Sequence, residues 1–175
     1  MRVIGGAARG RPLKAKIPPT VRPTTDYARE AIFSMLESRG GLVDLTVADL
    51  YCGSGAMGIE ALSRGAAKVY FVDSDPACLA AARVNLEPLQ LGGEAAFVRA
   101  TLPTWQPTSD LDLVLADPPY GPLDLESVLK GVNASRVVIE NDRHMDAPDG
   151  WIVTKTKRYG TTLVTMLEPS EASEQ

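Results

Sequence analysis

From Thr46 onward the chain alternates short apolar runs with helical stretches, a pattern that few folds accept. Val47-Ala48-Asp49-Leu50, Val69-Tyr70-Phe71-Val72, Ala95-Ala96-Phe97-Val98, Leu113-Val114-Leu115-Ala116 and Val137-Val138-Ile139-Glu140 read as strands. Runs this uniformly apolar suit strands buried on both faces, as in a parallel sheet. Helices are expected over about 56–64, from Pro76 to about 86, and over about 124–130. Residues 151–157 and 161–167, joined by Arg158-Tyr159-Gly160, read as a closing β-hairpin. The expectation is a doubly wound α/β protein with a mostly parallel, seven-stranded sheet. A terminal hairpin is unusual for a dinucleotide-binding sheet.

The chain before Thr46 is different. Residues 1–21 predict a small N-terminal β-hairpin extension, with Arg2-Val3-Ile4 facing Leu13-Lys14-Ala15-Lys16-Ile17 and Pro18-Pro19 ending it. Arg22-Pro23-Thr24-Thr25-Asp26 supplies a rigid turn and candidate N-caps. A helix should follow to about Ser38, with Ala28, Ala31, Ile32, Met35 and Leu36 on one face and Gly40-Gly41 as its stop. The expected division is an extension at 1–21, a catalytic domain at 22–168 and a disordered acidic tail at 169–175.

Charge is uneven. The first 30 residues hold seven basic and two acidic side chains, and the remaining 145 hold eleven and twenty. A basic arm on an acidic body points to a polyanion partner met locally. Arg2, Arg9, Arg11, Lys14, Lys16 and Arg22 are the candidate RNA-phosphate contacts. No apolar run approaches the ~20 residues of a membrane helix, and no signal peptide is visible, so a cytoplasmic monomer is expected. Cys52 and Cys78 form no zinc pattern, and no metal is expected.

Gly53-Ser54-Gly55-Ala56-Met57-Gly58 fits G-x-G-x-x-G between a strand and a helix. Asp73, at the end of the next strand, is placed to accept hydrogen bonds from ribose hydroxyls. These features alone admit NAD, FAD or S-adenosylmethionine. Asp49, inside the motif's own strand, discriminates among them. An acid there gains nothing from a pyrophosphate, but it suits the amino group and sulfonium of S-adenosylmethionine.

Leu113–Ala116 runs into Asp117-Pro118-Pro119-Tyr120. The prolines end the strand and stiffen the turn. Asp117 thus reaches the carboxyl edge of the sheet, where ligands bind in such folds. Its carboxylate and the Pro118 carbonyl suit the two hydrogens of an exocyclic amino group, and Tyr120 offers a face to a splayed-out base. Asp117, Pro118 and Tyr120 are therefore the candidate catalytic residues. An adenine N6 or a protein amide would suit them as well as any other amino group. Two more distant readings are a nicotinamide dehydrogenase and a non-catalytic RNA-binding assembly factor. Cys52 reads as a packing residue, and His144 belongs to a solvated loop. Lys155, Lys157 and Arg158 beside Tyr159 are either a charged hairpin tip or added phosphate contacts.

Taken together, these strings resemble the RsmD-type 16S rRNA (guanine-N2)-methyltransferase family. Arg2-Val3-Ile4-Gly5-Gly6 with Arg9-Gly10-Arg11 comes first, then Arg22-Pro23-Thr24-Thr25-Asp26 with Arg29-Glu30. Tyr51-Cys52-Gly53-Ser54-Gly55 with Glu60-Ala61-Leu62-Ser63-Arg64-Gly65 follows, and Asp117-Pro118-Pro119-Tyr120 closes the series. The resemblance covers nearly the whole chain. It implies a Rossmann-like class I methyltransferase fold with the terminal hairpin. It also implies methyl transfer from S-adenosylmethionine to N2 of one guanine of 16S rRNA, in an assembled or nearly assembled small subunit. The cofactor set it implies is Asp49, Tyr51, Gly53, Ser54, Gly55, Asp73 and Ser74. Many such enzymes carry an acid near the adenine after the third strand; Arg99-Ala100-Thr101 has none, so Thr101 and nearby backbone are expected there.

Overall fold

A computed structural model describes residues 1–15, 26–119, 121 and 123–170. Helix α1 (Asp26–Glu37) leads into β1 (Thr46–Leu50), α2 (Ala56–Ser63), β2 (Lys68–Asp73), α3 (Pro76–Leu86) and β3 (Glu94–Arg99). Then come β4 (Leu113–Ala116), α4 (Leu125–Leu129), β5 (Val137–Asn141), β6 (Trp151–Tyr159) and β7 (Thr162–Pro169). The seven strands form one sheet in the order β3-β2-β1-β4-β5-β7-β6. All pairs from β3 to β5 are parallel, and β7 is antiparallel to both its neighbours. This is the expected doubly wound α/β sheet with its terminal hairpin.

The strand order reverses between β1 and β4, the switch point where such sheets open a crevice. Alternation splits the buried residues between two faces. Val47, Val69, Phe71, Leu113, Leu115 and Val164 pack under α1 and α2, whereas Ala48, Leu50, Val114, Ala116 and Ile139 pack against α4. β1 and β4 are almost wholly buried, which is why they read as unbroken apolar runs.

Three expectations need correction. Arg158 and Tyr159 are paired strand residues, opposite Leu163 and Thr162, so the reversal falls at Gly160-Thr161. β7 continues through Pro169, opposite Trp151, and the Ser170 N–H donates to the Gly150 carbonyl. The tail expected from 169 therefore begins no earlier than 171, outside the described residues. Among the described residues the N-terminal hairpin is also shorter than expected, with a single antiparallel bridge between Arg2 and Pro12. The Val3 N–H donates to the Arg11 carbonyl at 2.9 Å and the Leu13 N–H to the Met1 carbonyl at 3.0 Å on either side of that bridge. Val3, Ala8 and Leu13 are buried in the main core, so the extension lies against the domain. Among the described residues, no helix is long and apolar enough to cross a membrane.

Candidate active site

Asp49, Asp73 and Asp117 meet at the carboxyl edge of β2, β1 and β4. Asp49 is in phase with Val47, and Asp73 with Phe71, so both carboxylates point to the α2 face. Asp117 follows Leu115 by two residues, and its N–H donates to the Leu50 carbonyl at 3.4 Å, continuing β4 alongside β1. Asp49 is almost fully buried, and its carboxyl is held well above the usual range, first by desolvation and then by the charges of Asp117 and Asp73. Neither Asp49 nor Asp73 has a cationic partner among the described residues. Burial and the neighbouring carboxylates therefore disfavour the charged form of Asp49.

The loop above the carboxylates is tied to them. Gly58 N–H donates to Asp49 Oδ2 at 2.8 Å, and Gly53 N–H donates to Asp73 Oδ2 at 3.0 Å. Asp73 Oδ1 also accepts from the Asp75 N–H at 2.9 Å. Gly58 is the third residue of α2, so Asp49 satisfies one of the helix's orphan donors from the strand below. Asp49 thus lies deeper than the sequence suggested, with one oxygen already committed to the loop. Asp73 is half-buried and keeps further lone pairs for a ligand.

Tyr51 adopts φ 59° between β1 and the loop, a left-handed conformation costing a non-glycine residue about 1–2 kcal/mol. Gly53 and Gly55 are left-handed too. The need for glycine at two loop positions comes from packing. A Cβ on Gly55 would lie 2.7 Å from Ala82 Cβ, and one on Gly58 2.4 Å from Phe71 Cε1. Ser54 is buried, with its Oγ 3.9 Å from Met1 Sδ. Ser74 and Thr101 are exposed at the same edge. The Ser74 carbonyl accepts from Arg99 Nε at 3.4 Å, and the Thr101 carbonyl accepts from the Thr104 N–H at 2.9 Å.

Past β4, Asp117 is half-buried, Pro118 buried and Pro119 exposed. Tyr120 lies outside the described residues, as do Lys16, Arg22, Thr24 and Thr25. Burial pushes the Cys52 thiol well up and that of Cys78 to about 11, so neither is a ready nucleophile at neutral pH. His144 is exposed in a loop, as expected.

A family model described as conserved hypothetical protein 95 matches residues 1–168. The chain belongs to the RsmD-type methyltransferase family. It is 38% identical to the ribosomal RNA small subunit methyltransferase D of Escherichia coli over 122 residues, 69% of this chain and 60% of that one. The Haemophilus influenzae protein of the same name is 31% identical over 176 residues, covering 91% of this chain and 89% of its own. The solved structure of Escherichia coli yhhF superposes with a TM-score of 0.80 at 30% identity, over 97% of each chain.

In this RsmD-type chain, several residues quoted above only for their resemblance have a physical task. Glu60, on α2, accepts the Ile4 N–H at 2.8 Å and the Gly5 N–H at 2.7 Å. Ser63 Oγ donates to the Gly5 carbonyl at 2.6 Å and accepts from the Ala8 N–H at 2.9 Å. A Cβ on Gly6 would fall 1.8 Å from the Ser63 carbonyl oxygen, so the arm approaches α2 more closely than any other residue allows. Asn85, on α3, accepts from the Ala15 N–H at 2.8 Å and donates to the Ser54 carbonyl at 3.0 Å. One buried amide thus joins the arm to the glycine loop.

Docking sorts the basic residues of the arm. Arg2, Arg9, Arg11 and Lys14 are exposed, although one Arg11 nitrogen donates to the Pro88 carbonyl at 2.9 Å. Arg29, counted above in the basic excess, is fully buried and bonded to Asp26 and the Arg2 carbonyl. It binds no phosphate in this arrangement.

Proposed function

We propose that this protein transfers a methyl group from S-adenosylmethionine to the exocyclic N2 of a guanine in small-subunit rRNA. The observation that carries the reading is the cluster of Asp49, Asp73 and Asp117, facing one crevice beneath a glycine loop. A sulfonium and an ammonium group supply the positive charge this cluster lacks, whereas a pyrophosphate would add negative charge. That favours S-adenosylmethionine over a nicotinamide cofactor. The names of the relatives point to small-subunit rRNA, and the exposed arginines of the arm suit its phosphates.

In this reading Asp73 and the backbone of the Tyr51–Gly55 loop hold the cofactor, and Asp49 acts from below, its charge facing the cofactor and one oxygen holding the first turn of α2 through Gly58. Ser74 and Thr101 lie at the adenosine end. S-adenosylmethionine supplies a methyl group activated by its sulfonium. Asp117 and the Pro118 carbonyl accept the two amino hydrogens of guanine and aim the nitrogen at the methyl group. Positive charge grows on that nitrogen, and the Asp117 carboxylate stabilises it. The surplus proton leaves late, from a nitrogen that methylation has made acidic. Tyr120 stacks on the base, and Arg2, Arg9, Arg11, Lys14, Lys16 and Arg22 meet phosphates. The protein acts as a cytoplasmic monomer on the small ribosomal subunit or its assembly intermediate.

Mass-spectrometric mapping of small-subunit rRNA from cells with and without the gene tests this reading. One N2-methylguanine should vanish in the deletion strain and return when purified protein and S-adenosylmethionine are added to its subunits. An unchanged modification pattern overturns the reading, and methylation of an adenine or a protein amide redirects it.

A further inference from the structure

We infer that Tyr27, Tyr159, Lys155 and Lys157 form a second RNA-contacting surface, which holds unpaired nucleotides flanking the target base. The inference rests on the proposed rRNA substrate and adds a surface outside both the basic arm and the catalytic crevice.

Position is the first argument. β6 runs in the same sense as β4, because β7 is antiparallel to both β5 and β6. Tyr159 therefore ends its strand at the carboxyl edge, the edge that carries Asp117. Two strands, β5 and β7, separate β6 from β4. At about 4.8 Å per strand the lateral offset is about 14 Å, which a few nucleotides of single strand can span. Tyr27, in the first turn of α1, comes to the same edge: its ring is 5.8 Å from that of Tyr159, at 78°. Tyr27 is 66% exposed, an unusual waste of an aromatic face unless something stacks on it.

Charge is the second argument. After residue 30 the chain is strongly acidic: Arg39, Arg64, Lys68, Arg136 and Arg143 are ion-paired, and the exposed Arg83, Arg99 and Lys130, without an acid partner among the described residues, are scattered over α3, β3 and the end of α4. Lys155, Lys157 and Arg158 are exposed, and no acid pairs with them among the described residues. Their cross-strand partners are Met166, Val164 and Leu163, so β7 offers no neutralising charge. Strand alternation puts Lys155 and Lys157 on the face of Tyr159, with Lys157 Nζ 5.2 Å from the ring, and Arg158 on the other. Lysines also keep an edge strand from pairing with another chain. That role leaves Tyr27 unexplained and does not distinguish the two faces of β6.

The test is binding of unmethylated small subunits by variants of the full chain, with S-adenosylhomocysteine affinity as the control for folding. Tyr27→Ala should weaken subunit binding and raise KM for the subunit by about ten- to a hundredfold, with kcat unchanged. Tyr27→Phe should restore both. The Lys155→Gln/Lys157→Gln double variant should flatten the dependence of log affinity on log salt by roughly 1.5. Arg158→Gln removes one charge from the other face and should weaken binding far less than Lys157→Gln alone. The inference is overturned if Tyr27→Ala binds like the parent, if Arg158→Gln and Lys157→Gln act equally, or if the double variant aggregates with RNA affinity intact. Failure of the parent protein to methylate any subunit would instead count against the proposed reaction.

Discussion

The two halves of the sheet are built differently. Around β1, β2 and β3 the acids and the amide near the glycine loop are hydrogen-bonded within the protein: Asp49 to Gly58, Asp73 to Gly53 and Asp75, Asn85 to Ser54 and Ala15. Around β4, β5, β7 and β6 the same edge carries a half-buried Asp117, exposed aromatic and basic side chains, and only the five-residue helix α4. In the proposed reaction the first half would hold the small methyl donor and the second would receive the large RNA partner. Preorganisation on one side keeps the reacting carbon fixed while the acceptor is fitted on the other.

The contrast can be broken most severely at Asp117. Asp117→Ala should lower kcat by at least about 10²–10³-fold while S-adenosylhomocysteine affinity stays within about twofold. Calorimetry with single-turnover methylation checks this, and a large loss of cofactor affinity would mean the halves are not separable. Glu60→Ala should destabilise the fold by about 2–4 kcal/mol, because it removes the charged acceptor of two arm N–H groups and the partner of Arg64. Urea unfolding measures that, and a change under about 1 kcal/mol would show that the arm is held elsewhere.

Asp49→Asn tests the electrostatic strain. A carboxyl whose pKa is raised by folding contributes stability that is fully present below its unfolded pKa. That contribution is lost as pH rises through the folded pKa. Asparagine can still accept from the Gly58 N–H but carries no charge. The variant should therefore gain thermal stability over the parent as pH rises from about 4 toward neutrality. It should also gain less than the parent from added S-adenosylmethionine. Melting temperatures across pH, with and without that ligand, decide it; parallel profiles would remove Asp49 from the charge argument.

What the sequence shows most plainly is what one segment decides by itself. β4 begins and ends where Leu113–Ala116 and the prolines say, because apolarity and a missing N–H are local facts. Asp124 caps α4 through the Ser127 N–H in the same local way. The hairpin turn was placed too early because Arg158 and Tyr159 are polar or amphipathic and precede a glycine, while their pairing with Leu163 and Thr162 is settled across the strands. Arg29 adds to the formal basic excess of the first 30 residues yet is buried, with Asp26 three residues earlier as its partner. Arm docking had no local signal at all: Glu60 and Ile4 are 56 residues apart. In the glycine loop the motif was legible, but its chemistry was not. Larger side chains are excluded at Gly55 and Gly58 by Ala82 and Phe71, and Tyr51 beside them takes a left-handed conformation that no sequence pattern announced.

The long reach of the arm's contacts also imposes an order of events during synthesis. Residues 1–15 are made before Glu60, Ser63 and Asn85, which seat them and follow 55 to 70 residues later. At 5–20 residues per second that is a wait of roughly 3–14 s. Through that interval Arg2, Arg9, Arg11 and Lys14 stand beside a surface made largely of RNA, with no folded domain to restrain them. The arm can close over α2 and α3 only once both exist.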